Sequence, residues 1–252
     1  MNFIVDHPFL VLVLCLVMFY VAERIGASFR RKLEEDEREN LSLIVAASLT
    51  LLGLIIGFTF SMAVSRYDQR KNYEAIESNT IRTEYNRSDF LPTEDAARVR
   101  ALLRAYLDQR ILFYETRNDR QLPQMEAATA RLQTDLWSAV QVPALKQQTP
   151  VIALAASGMN EVLDSQGYTQ AAYLNRIPAS AWGLMTAISI VCNLLIGYRI
   201  SRTKGRISLL PVLPLLVSIS FFLIADIDSP HGGIVRVHPH NLVDLSRSLH
   251  AR

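Results

Sequence analysis

Four apolar stretches, at residues 3–22, 41–64, 179–200 and 207–225, limit what this chain can become. A bilayer-crossing helix needs roughly 20 mostly apolar residues, because the hydrocarbon layer is about 30 Å thick and a helix rises about 1.5 Å per residue. All four stretches come close to that length, and most charged residues lie between them. The whole-chain figure of 50% hydrophobic residues conceals this division. The first stretch is the most broken, with Asp6, His7 and Pro8 leaving residues 9–22 as its clean core. Residues 1–8 contain no Lys or Arg, and "YVAERIGAS" is a poor cleavage site, so an uncleaved helix is expected rather than a signal peptide.

The chain is therefore expected to be an all-α integral membrane protein with four transmembrane helices. Residues 1–65 hold spans one and two with a charged loop at 23–40, and residues 179–225 hold spans three and four. Between the two pairs, residues 66–178 form a helical extramembrane domain, and residues 226–252 form a C-terminal tail. Lys and Arg in short loops favour the cytoplasm. The first loop holds Arg24, Arg30, Arg31, Lys32 and Arg38, and the loop between spans three and four holds Arg199, Arg202, Lys204 and Arg206. Both loops are thus expected to be cytoplasmic, with residues 66–178 outside. In either orientation four spans put residues 66–178 and the tail on the same side.

No part of residues 66–178 alternates with the period of a strand, so the domain reads as helical. Span two continues without a Pro until Leu91-Pro92, where the residue before Pro is forced out of helical geometry. Thr93 is expected to cap the next helix, on which Val99, Leu103, Tyr106 and Phe113 make a buried stripe. A third helix is expected from Pro123 to about Val140, with Met125, Ala128, Leu132 and Leu136 on one face. A fourth is expected from Pro150 to about Gln166, with Gly167 as its C-cap and a short piece over 170–175 to follow. "QVPALKQQTP" reads as the flexible linker of the domain.

Span two carries the most pointed pattern. Gly53, Gly57, Ser61 and Ser65 fall four residues apart, and such small-residue ladders let membrane helices approach closely. The ladder can pack on another helix of the same chain, pack on a second copy in a homo-oligomer, or line an opening. Leu52, Ile55, Thr59 and Met62 share a stripe offset from the ladder and are the pore-lining candidates, with Arg66 at the end of the stripe. Arg66, Tyr67, Asp68, Arg70 and Lys71 read as an interfacial belt, or in an oligomer as a charged ring at a mouth. Asp226 and Asp228 close span four at the membrane edge, where a carboxylate needs a partner. Arg66 or Arg70 is the expected partner; lining of an ion pathway and simple solvation are the alternatives. Asn193 is expected to hydrogen-bond across helices, and Trp182 to anchor span three at the interface.

Chemistry is otherwise sparse. No nucleophile elbow, zinc-protease motif, phosphate loop or dinucleotide fingerprint occurs, so neither an enzyme nor a cofactor is expected. His231, His238, His240 and His250 gather near the C-terminus without a recognised metal-ligand spacing. Cys15 and Cys192 fall inside spans, where packed thiols are the ordinary reading. A net charge of +2 leaves no nucleic-acid footprint.

Three stretches, "LLGLIIGFTFSMAVSRYDQRKNYEAIESNTIRTEYNRSDFLP", "LNRIPASAWGLM" and "LIADIDSPHGGIVRV", resemble the bacterial bestrophin-like domain family. The resemblance implies a bacterial inner-membrane protein distantly similar to bestrophins, which are pentameric anion channels whose second membrane helix lines a hydrophobic neck. It thus implies an oligomeric channel, with residues 53–70 in the neck, lipid and further copies as partners, and small inorganic ions as the cargo. Two features depart from bestrophins. The Lys/Arg bias puts residues 66–178 outside the cytoplasm, and no acidic run resembles the calcium clasp of the animal channels. The alternative is a non-conducting membrane scaffold that acts through the 66–178 helices.

Overall fold

The computed structural model describes residues 5–29, 34–117, 119–199 and 211–250. Its α-helices are α1 (Pro8–Ser28), α2 (Glu35–Arg87), α3 (Thr93–Glu115), α4 (Leu122–Lys146), α5 (Pro150–Leu174), α6 (Ala179–Arg199), α7 (Val212–Asp228) and α8 (His240–His250). Two short 3-10 turns, Ser88–Phe90 and Asp119–Gln121, complete the regular structure, and no strand occurs among the described residues. The chain is therefore all-helical. Among the described residues, three helical stretches are long and apolar enough to cross a membrane: α1, α2 and the run that ends with α6. The described part of α7 is 17 residues long. Arg30, Arg31, Lys32, Arg202, Lys204 and Arg206, and the outer residues of spans one and four, lie outside the described residues.

The longest helix is α2, at 53 residues, or about 80 Å at the α-helical rise. Glu35, Asp36 and Glu37 occupy its first turn, where negative charge complements the helix dipole. No Pro interrupts it. It tightens into the Ser88–Phe90 turn and ends at Leu91, whose ψ of 157 is extended, as the following Pro92 demands. Thr93 does not cap α3 as the sequence suggested. Pro92 holds the cap position and Thr93 is the first helical residue, with no side-chain capping bond. Two helices also outrun their expected ends. Pro143 lies inside α4 near its last turn and is buried with Val140, so one lost backbone bond does not end the helix. Helix α5 runs through Gly167 to Leu174, because Ser165, Thr169, Ala172 and Tyr173 bury one face and offset a glycine cost of about 1 kcal/mol. Within the presumed linker only residues 147–149 leave the helical state, and Thr149 Oγ1 accepts a hydrogen bond from the Ile152 amide to start α5.

The chain forms two compact units. Met1–Arg66 with Arg176–Arg236 makes the first, and Tyr67–Asn175 with Val237–Arg252 makes the second. In the first unit α1 packs on α6 and α7. Phe19 meets Phe221 edge-on at 5.4 Å, and Trp182 lies 5.9 Å from the same ring. Trp182 is thus a buried residue of this unit's core.

In the second unit α3 packs on α4, α4 on α5, and α8 on α3. The stripe read from the sequence is buried as expected, with Val99, Leu103, Tyr106 and Phe113 in the core beside Ile81, Leu136 and Met159. Helix α8 escaped the sequence reading, although Leu242, Leu245 and Leu249 fall at helical spacing and all three are buried. The Glu74 carboxylate holds its first turn, accepting from the Leu242 amide at 3.0 Å and from Asn241 Nδ2 at 2.6 Å.

A charged pair sits at the centre of this unit. Arg110 Nε donates to Glu77, and both side chains are almost fully buried. Glu77 Oε2 also accepts from Tyr114 at 3.1 Å and from Thr169 at 3.2 Å, so α2, α3 and α5 meet on one carboxylate. Burial acts to lower the Arg110 pKa, but the Glu77 charge and hydrogen bond together with Tyr106 and Tyr114 outweigh it and the net shift is upward, so the guanidinium stays charged. Removing one partner of such a pair strands the other in a dry interior. Arg110→Met alone is therefore expected to destabilise the chain by about 3–5 kcal/mol. The Glu77→Leu/Arg110→Met double variant should cost less than the sum of its parts, as read from thermal unfolding in detergent.

Candidate functional site

Of the three long apolar stretches among the described residues, the membrane half of α2 is the most apolar and the least covered. Only 11% of its most apolar stretch is buried, against 33% for α1. Its buried edge is formed by Val45, Leu52, Thr59 and Ala63, and Leu52 and Ala63 join the core of the first unit. The opposite edge is open: Gly53, Gly57, Ser61 and Ser65 are all exposed, as are Leu51, Leu54, Phe58 and Met62. A methyl group built on Gly53 or Gly57 would meet nothing. Among the described residues, Gly53 and Gly57 therefore make no close packing contact.

The expected lining stripe is divided by this geometry. Leu52 is 2% exposed and Thr59 4%, so both face the inside of their own unit. Thr59 settles its hydroxyl on the Ile55 carbonyl, 2.8 Å away on the same helix. Ile55 is half-buried, Met62 is 39% exposed, and Arg66 is half-buried at the end of the stripe.

Close helix packing in the first unit comes instead from two glycines that the sequence reading passed over. A methyl on Gly26 of α1 would run into the Leu194 carbonyl of α6, and one on Gly197 of α6 would run into the Glu23 carbonyl of α1. Each glycine thus admits the backbone of the other helix, the geometry that small residues permit in membranes. No spacing signal marks this pair, because the two glycines lie on different helices. Glu23 is fully buried at the same crossing, and its carboxylate oxygens have no hydrogen-bond partner among the described residues.

The acidic residues at the end of α7 are held by backbone amides. Asp226 accepts from the Ile234 amide at 2.7 Å and the Val235 amide at 2.9 Å. Asp228 accepts from the Ile177 amide at 3.2 Å, and Arg176 forms an ion pair with Asp6. Together these contacts fasten the chain entering α1 and α6 to the turn after α7. Arg70 belongs to the second unit, buried with its guanidinium 6.0 Å from the Tyr173 ring. Among the described residues Asn193 bonds within its own helix rather than across helices as expected. Its Nδ2 donates to the Ser189 carbonyl one turn back on α6, which satisfies the donor without a neighbour. Among the described residues, no group of three or more His, Cys, Asp or Glu is placed to hold a metal ion.

The two kinds of glycine separate experimentally. Gly26→Ala and Gly197→Ala should each lower the melting temperature of the chain, because a backbone carbonyl must move. Gly53→Ala and Gly57→Ala should leave the folding of a single chain intact or stabilise it by up to about 1 kcal/mol, as expected for an open helix position.

The arrangement agrees with comparisons to known proteins. No curated protein gives a significant match. Several solved structures share the fold at low identity. The crystal structure of a bacterial bestrophin homologue from Klebsiella pneumoniae matches with a TM-score of 0.62 and 15% identity, covering 96% of each chain. A variant of that homologue matches with a TM-score of 0.63 and 14% identity, over 94% of this chain and 95% of that one. A crystal structure described only as a membrane protein matches at 0.61 and 15% identity, over 96% of each chain. At these identities the likeness concerns the fold. The family model for the Bestrophin-like domain covers residues 9–242, nearly the whole sequence, and the chain belongs to that family.

Proposed function

We propose that this chain is one subunit of an oligomeric ion channel, with the apolar half of α2 facing the pathway and the neighbouring copies. The observation that supports this reading is the uncovered small-residue edge of α2. A helix with room for close backbone approach, and nothing among the described residues of its own chain against Gly53 or Gly57, suits a second copy. Family membership adds weight, since the bestrophins that the sequence resembles conduct anions as ring-shaped assemblies. In such a ring the exposed face of α2, from Gly53 to Met62, meets the lumen or the adjacent subunit. Leu52 and Thr59 then support the helix from behind. Arg66 marks the membrane edge of the pathway, and Asp226 and Asp228 are the acidic groups of the same unit proposed to pair with it.

In this reading α7 completes a set of four spans in a bacterial inner membrane, and the 66–178 helices lie outside the cytoplasm. Small inorganic ions are the cargo. Oligomeric state in mild detergent, followed by ion flux in liposomes, tests the proposal. A closed ring that passes ions is expected, and a stable monomer without flux would sink it. A ring without flux would favour the alternative, a non-conducting scaffold acting through its helical domain.

A further inference from the structure

Glu84 lies on the polar half of α2, roughly 20 residues past Val64 and so about 30 Å beyond the apolar stretch. It is fully buried, and neither carboxyl oxygen has a hydrogen-bond partner among the described residues. The two other buried glutamates of this unit differ: Glu74 holds the first turn of α8, and Glu77 holds Arg110. Glu84 is enclosed because Gly158 of α5 lets that helix come close. A methyl on Gly158 would collide with the Glu84 carboxyl and the Arg87 guanidinium.

An ionised carboxylate in this position needs a cation. Arg87 is one turn along α2, but its Nη1 lies 3.5 Å from Glu161 of α5 and is shared with that acid. The nearby turn brings Asp89, which is paired with Arg100 of α3. Arg104 of α3 donates to the Tyr85 hydroxyl. The charges that bear on Glu84 are therefore Arg87 from its own helix and Glu161 from α5. Burial pushes the Glu84 pKa up from 4.5 to about 8, Arg87 opposes the rise, and Glu161 adds to it.

We propose that Glu84 is a proton-binding site at the contact of α2 with α5, and that loss of its proton loosens this contact. A neutral carboxyl costs far less in a dry, unpartnered position than a carboxylate does. Deprotonation puts a second negative charge beside Glu161 and makes the two acids compete for one guanidinium. Conduction plays no part in this inference, so an absence of ion flux leaves it standing.

The sign of the effect follows from linkage. A folded-state pKa raised above the ordinary 4.5 means that the folded chain binds more protons than the unfolded chain up to about pH 8. Stability is therefore highest at the acid end of that window and falls as pH rises through it. The test is thermal unfolding of the full chain in detergent at stepped pH, for wild type and Glu84→Gln. The melting temperature of wild type should fall towards pH 8, and that of Glu84→Gln should fall much less. Equal pH dependence in the two chains would overturn the proposal. If Glu84→Gln does not fold, infrared spectroscopy of a Glu23→Gln chain, which removes the buried acid of the first unit that lacks a hydrogen bond among the described residues, gives a second reading. A protonated-carboxyl band at neutral pH that disappears above about pH 8 supports the site, and no such band at neutral pH overturns it.

Discussion

Close backbone approach, not the hiding of apolar side chains, is the constraint on which the membrane unit depends. Lipid tails are as apolar as leucine, so membrane helices gain little by burying one another's side chains and must gain from packing and polar contacts instead. In this chain two membrane helices make that approach where Gly26 admits the Leu194 carbonyl and Gly197 admits the Glu23 carbonyl. With α1 and α6 held there, α7 closes on α1 through Phe19 and Phe221. Helix α2 shares this core through one narrow edge and presents an exposed glycine and serine edge on which Gly53 and Gly57 meet nothing among the described residues. The same physics thus has two uses in one sequence, one satisfied within the chain and one left available.

The second unit is organised by charge rather than by close approach. Its polar groups are deep, and most are answered: Glu77 by Arg110, Tyr114 and Thr169, and Glu74 by the first turn of α8. These contacts draw the polar half of α2, α3, α5 and the C-terminal helix onto one core. They add directional contacts to what apolar packing does through Val99, Leu103 and Leu136. Glu84 is the departure from that pattern, a carboxyl brought against α5 by Gly158 and left without a hydrogen bond among the described residues.

Periodicity and punctuation made much of this readable from the residues. The apolar stretches marked α1, α2 and α6, Leu91-Pro92 marked the end of α2, and the spacing of Val99, Leu103, Tyr106 and Phe113 marked the buried face of α3. What stayed hidden depends on partners distant in sequence. Glu77 and Arg110 are 33 residues apart and look like ordinary surface charges until α2 and α3 are folded together. Gly26 and Gly197 show no pattern along the chain because each is matched to a backbone carbonyl on another helix. The same cause explains the ends placed too early at Pro143 and Gly167, where tertiary burial overrides local propensity. The offset stripe on α2 was visible, but the side that faces its own chain was not, since a helix apolar all round carries no such instruction.

The account rests on the claim that the open edge of α2 meets other copies of the chain. Single cysteines in a chain with Cys15 and Cys192 replaced by alanine test it directly, using a short thiol-specific cross-linker in membranes. Ser61→Cys lies on the exposed edge, and Ala63→Cys lies on the buried edge of the same helix turn. The account predicts linked dimers from position 61 and none from position 63. No link from position 61, or equal linking from both, would contradict it.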